Sequence, residues 1–142
     1  MFKHILLAVD LGDENSWRKS LPFSVDYAKT HKATLHVMMV VPDFGMSIVG
    51  SFFPKEHEKQ ALEEANRVLH EFVDKNVPKD IRVQHIVGHG TAYEEILRVC
   101  DEISADLIVM GSHRPKVADY LLGPNAARVM RHAPCSVMVV RK

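Results

Sequence analysis

The 142-residue chain carries no surplus of charge, with 18 lysines and arginines against 18 aspartates and glutamates. A protein drawn as a whole to nucleic acid or to an anionic membrane presents a field of one sign, so any anion site here has to be local. No apolar run approaches the roughly 20 residues that span a bilayer. Neither a nucleic-acid partner nor a membrane is therefore expected. The opening MFKHILLAVD has a short apolar run that ends in Asp10, with no small-residue cleavage site behind it, so it does not read as a signal peptide and the cytoplasm is the expected location. Cysteine is scarce. Cys100 and Cys135 lie far apart without a CxxC spacing, which suits reduced, packed thiols better than a disulfide framework or a zinc site.

Several motifs are missing as well. There is no GxxxxGK[ST] phosphate loop and no GxGxxG after the first apolar run, which excludes a Walker NTPase and a dinucleotide-binding Rossmann protein. The nine histidines include no pair at i, i+4 on one helix with an acidic third ligand. No serine or cysteine sits in a nucleophile elbow, and no nucleophile has an evident base. No catalytic residue is assigned, and efficient turnover is not expected. Internal repeats, charge blocks and low-complexity tracts are absent too.

What remains is an alternation of short apolar runs with amphipathic segments. His4 to Val9, Thr34 to Val41, Ile81 to Val87, Asp106 to Met110 and Ser136 to Val140 read as five strands. Between them the spacing turns helical: Leu21, Val25 and Ala28, then Leu62, Ala65, Leu69 and Phe72, then Ile96, Val99 and Ile103, and finally Ala126 to His132. Strands alternating with helices predict a single α/β domain over residues 1–142, built on a doubly wound parallel sheet. Ile81 to Val87 is broken by Arg82, Gln84 and His85, which places it at an edge. Pro22, Pro54 and Pro124 stand near helix starts, where a missing amide hydrogen costs least. The segment from Pro42 to Pro54 is long and apolar, and reads either as a flap packed over helix ends or as a lid or subunit contact.

In open parallel sheets ligands bind beyond the carboxyl ends of the strands, where the winding changes direction. Those ends supply Ala8, Val9 and Asp10, then Val40 and Val41, then the turn Gly88-His89-Gly90, then Met110 and Gly111 followed by His113 and Arg114. Asp10 can accept from sugar hydroxyls or hold a magnesium ion; bonding its own following loop is the alternative. Gly111 permits close backbone approach, and Gly123, Pro124 and Asn125 open a helix whose first amides attract phosphate. Ordinary turn chemistry explains any one of these glycines alone, and the glycines around His89 read simply as the turn into the third helix.

HILLAVD at the start, GxxxEEIL from Gly90 to Leu97, DLIVMGSHRP from Asp106 to Pro115, and LLGPNAARVMRHAPCSVMVVR from Leu121 to Arg141 together resemble the universal stress protein (UspA-like) family over nearly the whole chain. The SHRP and DYLLG forms are similar to its enterobacterial F/G-type branch. The resemblance implies a five-stranded parallel sheet in the order 3-2-1-4-5, of the adenine-nucleotide alpha-hydrolase-like kind. It also implies cytoplasmic homodimers joined through the last strand and, in one subgroup, ATP held by G-x2-G-x9-G-[ST] followed by Asn. Gly111 matches the first glycine, Gly123 the third, and Asn125 the asparagine. Arg114 stands at the second glycine, the spacer is one residue short, and Pro124 replaces the hydroxyl residue. Carried over by position, Asp10 meets the ribose, Val9 and Val41 the adenine, and Gly111, Gly123, Asn125 and Ala126 the phosphates. Losing one hydrogen bond to a charged group at Pro124 costs about 1.5–3 kcal/mol, or about 10-fold in affinity or more. Arg114 can compensate as a bidentate phosphate clamp, unless it is a solvated loop arginine. His113 reads as a phosphate partner or a loop packing group.

Three functions follow: a nucleotide-dependent stress-response module that binds ATP with magnesium, a weak ATP hydrolase or autophosphorylating protein, and a nucleotide-free oligomeric interaction protein. A homodimer through Val137, Met138, Val139 and Val140 is expected because an unpaired edge strand invites another chain. A tetramer built from such dimers stays open, as does an edge covered by its own helix.

Overall fold

The computed structural model describes residues 1–42, 55–112 and 124–141. Among them are five strands, β1 (His4–Ala8), β2 (Thr34–Val41), β3 (Val83–His89), β4 (Leu107–Gly111) and β5 (Ser136–Val140). The helices are α1 (Ser20–His31), α2 (Lys55–Asn76), α3 (Ala92–Ile103) and α4 (Pro124–His132), with a 3-10 turn at Glu14–Ser16 before α1. The strands form one sheet in the order β3-β2-β1-β4-β5, and every pairing is parallel. The doubly wound parallel sheet is the one read from the alternation of runs, its order is the one the resemblance implies, and Val83–His89 stands at one edge.

The winding follows from the handedness of crossovers. Connections between parallel strands are right-handed in nearly every protein, so reversing the direction of travel across the sheet moves the helices to its other face. The chain runs outward from β1 to β3, then jumps back to β4 and on to β5. Ile5 and Leu7 of β1 accordingly pack with Leu21 and Ala28 of α1 and Leu69 and Val73 of α2. Leu6 points the other way, into Ile96 and Val99 of α3 and Ala126 and Val129 of α4. All three β1 residues have no exposed surface. Truncating one of them to alanine would cost about 2–5 kcal/mol.

Strand limits differ from expectation where a residue has a second use. Ile81 is buried, but its N–H donates to the Pro78 carbonyl at 3.2 Å, so it closes a turn and β3 starts two residues later. Asp106 caps the neighbouring strand: its carboxylate accepts from the N–H of Lys3 at 2.8 Å and of His4 at 2.9 Å. Val9 lies past the end of β1 yet still donates to the Met38 carbonyl at 2.9 Å.

The polar residues of β3 serve the sheet. Gln84 Oε1 accepts from His36 Nδ1 at 2.6 Å, which leaves His36 Nε2 to accept from His4 Nδ1 at 3.1 Å. His36 is buried. Burial holds its pKa below the ordinary 6.5, the Gln84 bond opposes that shift, and the nearby His4 adds to it. His85, stacked on His70 at 3.8 Å between ring centroids, is lowered by burial and then by His70, against Asp74. In the unfolded chain these imidazoles take up protons as the pH falls through 6.5, while in the fold they remain neutral. Stability from this source is therefore full above pH 6.5 and is lost as the pH drops from there through the folded-state values. The melting temperature should fall between about pH 7.5 and about pH 5.5, and His36→Gln should fall less steeply. An equally steep fall in the variant, followed by circular dichroism, would contradict the assignment.

Candidate functional site

β1 turns toward β2 through α1, and β4 turns toward β5 through α4, so their carboxyl ends part and leave a crevice between them. It encloses about 280 Å³, near the lower end of the range of small-molecule pockets, about 300–1,000 Å³. Side chains on the α3/α4 side of the sheet, among them Met38, Val40 and Met110, make an apolar slot with Ile96 of α3. Asp10, Asp13, Ser16 and Asn125 supply polar groups.

Asp10 is held in place by its own backbone. Its N–H donates to Ser16 Oγ at 2.9 Å, and that hydroxyl donates in turn to the Asp10 carbonyl at 2.9 Å. The Ser16 carbonyl accepts from Ser20 Oγ at 3.0 Å, and the Ser20 carbonyl accepts from Ser24 Oγ at 2.9 Å, so a line of serines ties the first turns of α1 to the crevice. One carboxylate oxygen of Asp10, Oδ1, accepts from the Gly12 N–H at 2.9 Å. Its loop-bonding role is therefore present. The other oxygen has no partner among the described residues.

Gly111 answers to a contact rather than to an open space. A Cβ built there would stand 2.8 Å from the Ser16 carbonyl oxygen and 3.1 Å from the Ser16 Cα. The backbone that comes close is thus the 3-10 turn, which packs on the end of β4. Pro124 is the first residue of α4, where it forfeits no intrahelical bond, while Asn125 and Ala126 follow in the first turn, whose amide hydrogens have no intrahelical acceptor. Arg128 lies 4.9 Å above the Tyr93 ring and links α4 to α3. At the β3 end, Gly90 has φ +136° and donates to the Val41 carbonyl at 2.9 Å. The His89 N–H donates to Glu95 Oε1 at 3.0 Å. The Glu95 carboxyl is held below its usual range by Arg98 first and, against a smaller opposing effect of burial, by this backbone bond. Gly88 and His89 extend β3 by pairing with Val40 and Val41, so of the three residues read as a turn only Gly90 lies past the strand.

Of the residues singled out from sequence, Ala8, Val9, Asp10, Val40, Met110, Gly111, Pro124, Asn125 and Ala126 meet on the wall of this crevice. Val41 does not: it is buried, and its carbonyl is engaged by Gly90. His113, Arg114, Gly123 and the segment 43–54 lie outside the described residues. Met38, Ala92, Ile96, Leu11, Asp13 and Ser16 were not foreseen at the crevice. Met38 was within reach of sequence reasoning, because it stands two residues before Val40 and so shares its face. Ser16 carried no signal, since a 3-10 turn has no hydrophobic period.

The family model of the universal stress protein family matches residues 1–141. The chain belongs to the universal stress protein family. Universal stress protein G of Shigella flexneri is 27% identical over 143 residues, covering 99% of this chain and 100% of that one, in keeping with the enterobacterial branch read from SHRP and DYLLG. Among solved structures, the hypothetical protein MJ0577 aligns over 100% of this universal stress protein and 97% of its own chain, with TM-score 0.75 and 23% identity. A universal stress protein in complex with cAMP aligns over 99% and 97%, with TM-score 0.63 and 21% identity.

The contact at Gly111 yields a test. Gly111→Ala should lower the unfolding free energy by about 1–3 kcal/mol in urea titration, because the new methyl meets backbone that cannot swing away. An unchanged midpoint would show that the turn is not packed against β4.

Proposed function

We propose that this universal stress protein is a nucleotide-binding module whose crevice holds ATP. The adenine would lie in the apolar slot beside Val9, without the contact from Val41 that the family pattern implies. Asp10 would accept from the ribose hydroxyls. The phosphates would meet Gly111, Gly123, Asn125 and Ala126, with Arg114 and His113 as further partners. One observation carries the reading: Asp10, Gly111 and Asn125, singled out at two strand ends and a helix start far apart in the chain, converge on a single crevice, together with Ala126, which the resemblance adds. A family structure bound to cAMP supports an adenosine phosphate as the ligand class.

Magnesium fits only as a companion of the nucleotide. Among the described residues no group of three or more histidines, cysteines or carboxylates could hold a metal. Asp10 can offer its unpartnered oxygen, and magnesium is commonly held by one or two carboxylates together with substrate phosphates. In that role it would neutralise phosphate charge.

Oligomer formation is the second part of the proposal. β5 pairs with β4 alone within the sheet, and Met138 on it is 36% exposed. An edge strand with no second neighbour among the described residues can pair with a second copy, here through Val137, Met138, Val139 and Val140.

Calorimetric titration with magnesium and ATP tests the first part. The wild-type protein should bind, and Asp10→Ala should bind about 10-fold more weakly or worse, the loss expected when a charged group's hydrogen bond is removed. No heat at millimolar ATP, or equal affinity in the two proteins, would overturn it. Sedimentation tests the second. A dimer is expected at micromolar concentration and Met138→Arg should dissociate it, whereas a wild-type monomer would refute the edge contact.

A further inference from the structure

Away from the crevice, at the opposite end of the α3/α4 layer, the two cysteines of the chain come together. Cys100 lies on α3 one turn before its end, and Cys135 lies between α4 and β5. Their sulfurs are 3.5 Å apart although the residues are separated by 35 positions, and both are free thiols. Cys100 has only 1% of its surface exposed, inside the core shared by α3, α4 and the sheet, while Cys135 is half-buried and packs against the same core. Ser104, with φ 53°, turns the chain back at the end of α3 so that the Ala105 N–H donates to the Cys100 carbonyl at 3.0 Å. The backbone around Cys100 is thereby pinned, and the thiol is directed at Cys135. Reaching a bond length of about 2.05 Å requires the sulfurs to close by about 1.5 Å, within the scope of side-chain rotation.

We propose that Cys100 and Cys135 are an oxidation site, at which a peroxide converts the paired thiols into an intramolecular disulfide. The chemistry divides between them by exposure. Cys135 is the accessible sulfur: its thiolate attacks the peroxide, the O–O bond breaks, hydroxide leaves, and Cys135 becomes a sulfenic acid. The Cys100 thiol, poised beside it, then attacks that sulfur, the S–O bond breaks, and water leaves with the thiol proton. Two thiols and one hydrogen peroxide give one disulfide and two waters. Burial raises the Cys100 pKa strongly, with the neighbouring Cys135 adding to it, so Cys100 is protected from solution oxidants. It reacts because its partner is already in place. A lone exposed cysteine would continue to sulfinic acid, whereas the pair stops at a state that thiols reverse.

The bond would reach the crevice through the fold. It would join the C-terminal end of α3 to the entry of β5, around a loop that contains β4 and α4. The other ends of α3 and α4, at Ala92 and at Pro124, line the crevice. The oxidised protein would therefore hold these two helices as one body. The inference is independent of which ligand the crevice takes.

The test is to treat the reduced full-length protein with a small excess of hydrogen peroxide, desalt it, alkylate it under denaturing conditions, and map its peptides by mass. Both cysteines should lose their alkylation, a peptide linking Cys100 to Cys135 should appear in monomeric protein on a non-reducing gel, and dithiothreitol should restore both thiols. The oxidised form should melt about 5 °C or more above the reduced one, since the bond restricts the unfolded chain. Cys100→Ser and Cys135→Ser should each abolish that rise, and either variant suffices if the other does not fold. Sulfinic acid at Cys135 with Cys100 still alkylatable, a disulfide between two copies of the chain, or two unreacted thiols would each overturn the proposal.

Discussion

A strand covered on both faces can offer chemistry only at its ends. β1 is such a strand, with β2 and β4 along its edges and helices above and below, and most of what is distinctive about this universal stress protein follows from that burial. Ile5, Leu6 and Leu7 have no freedom to do anything but pack. Polar groups first become available at Asp10, just past the last ladder bond, and the winding reversal between β1 and β4 opens a crevice at that point.

The crevice is not a loose gap, because its polar parts are connected to the core. Ser16 joins the Asp10 backbone to the start of α1, and the carbonyl of the same serine rests where a side chain at Gly111 would otherwise be. One short turn thus positions both the acid at the end of β1 and the backbone at the end of β4. Such an arrangement is pre-organised: Asp10 and the Gly111 backbone already have fixed positions, so ordering them would cost a ligand little entropy. At the other end of the α3/α4 layer, the Cys100 and Cys135 sulfurs meet beside the ends of those helices that lie away from the crevice.

The architecture was largely legible in the sequence because its signals are local and repeated. Continuous apolar runs such as HILLAV and DLIVM mark strands covered on both faces, whereas the equally apolar SVMVV is a half-exposed edge strand, and the interrupted run containing Arg82 and Gln84 marks the opposite edge. The limits of the elements were less legible. Asp106 reads as part of a strand until its carboxylate is found capping β1, and Ile81 until its amide is found closing a turn. At the crevice, the residues at strand ends and at the start of α4 were readable because topology alone brings them together. Ser16, and the reason for Gly111, were not readable, since both depend on a contact between segments that have no periodic pattern. The approach of Cys100 to Cys135 was hidden for the same reason: spacing in sequence carries no information about two chain turns that meet at one end of a layer.

Membership in the family and the doubly wound sheet leave one question at the centre, namely whether the crevice between β1 and β4 receives an adenine nucleotide. The most direct measurement is a backbone amide NMR titration of the labelled protein with magnesium and ATP. The account predicts that the amides of Asp10, Gly111, Asn125 and Ala126 shift together with one saturation curve, while those of α2 stay in place. Saturating shifts confined to another surface, or none at millimolar nucleotide, would contradict it.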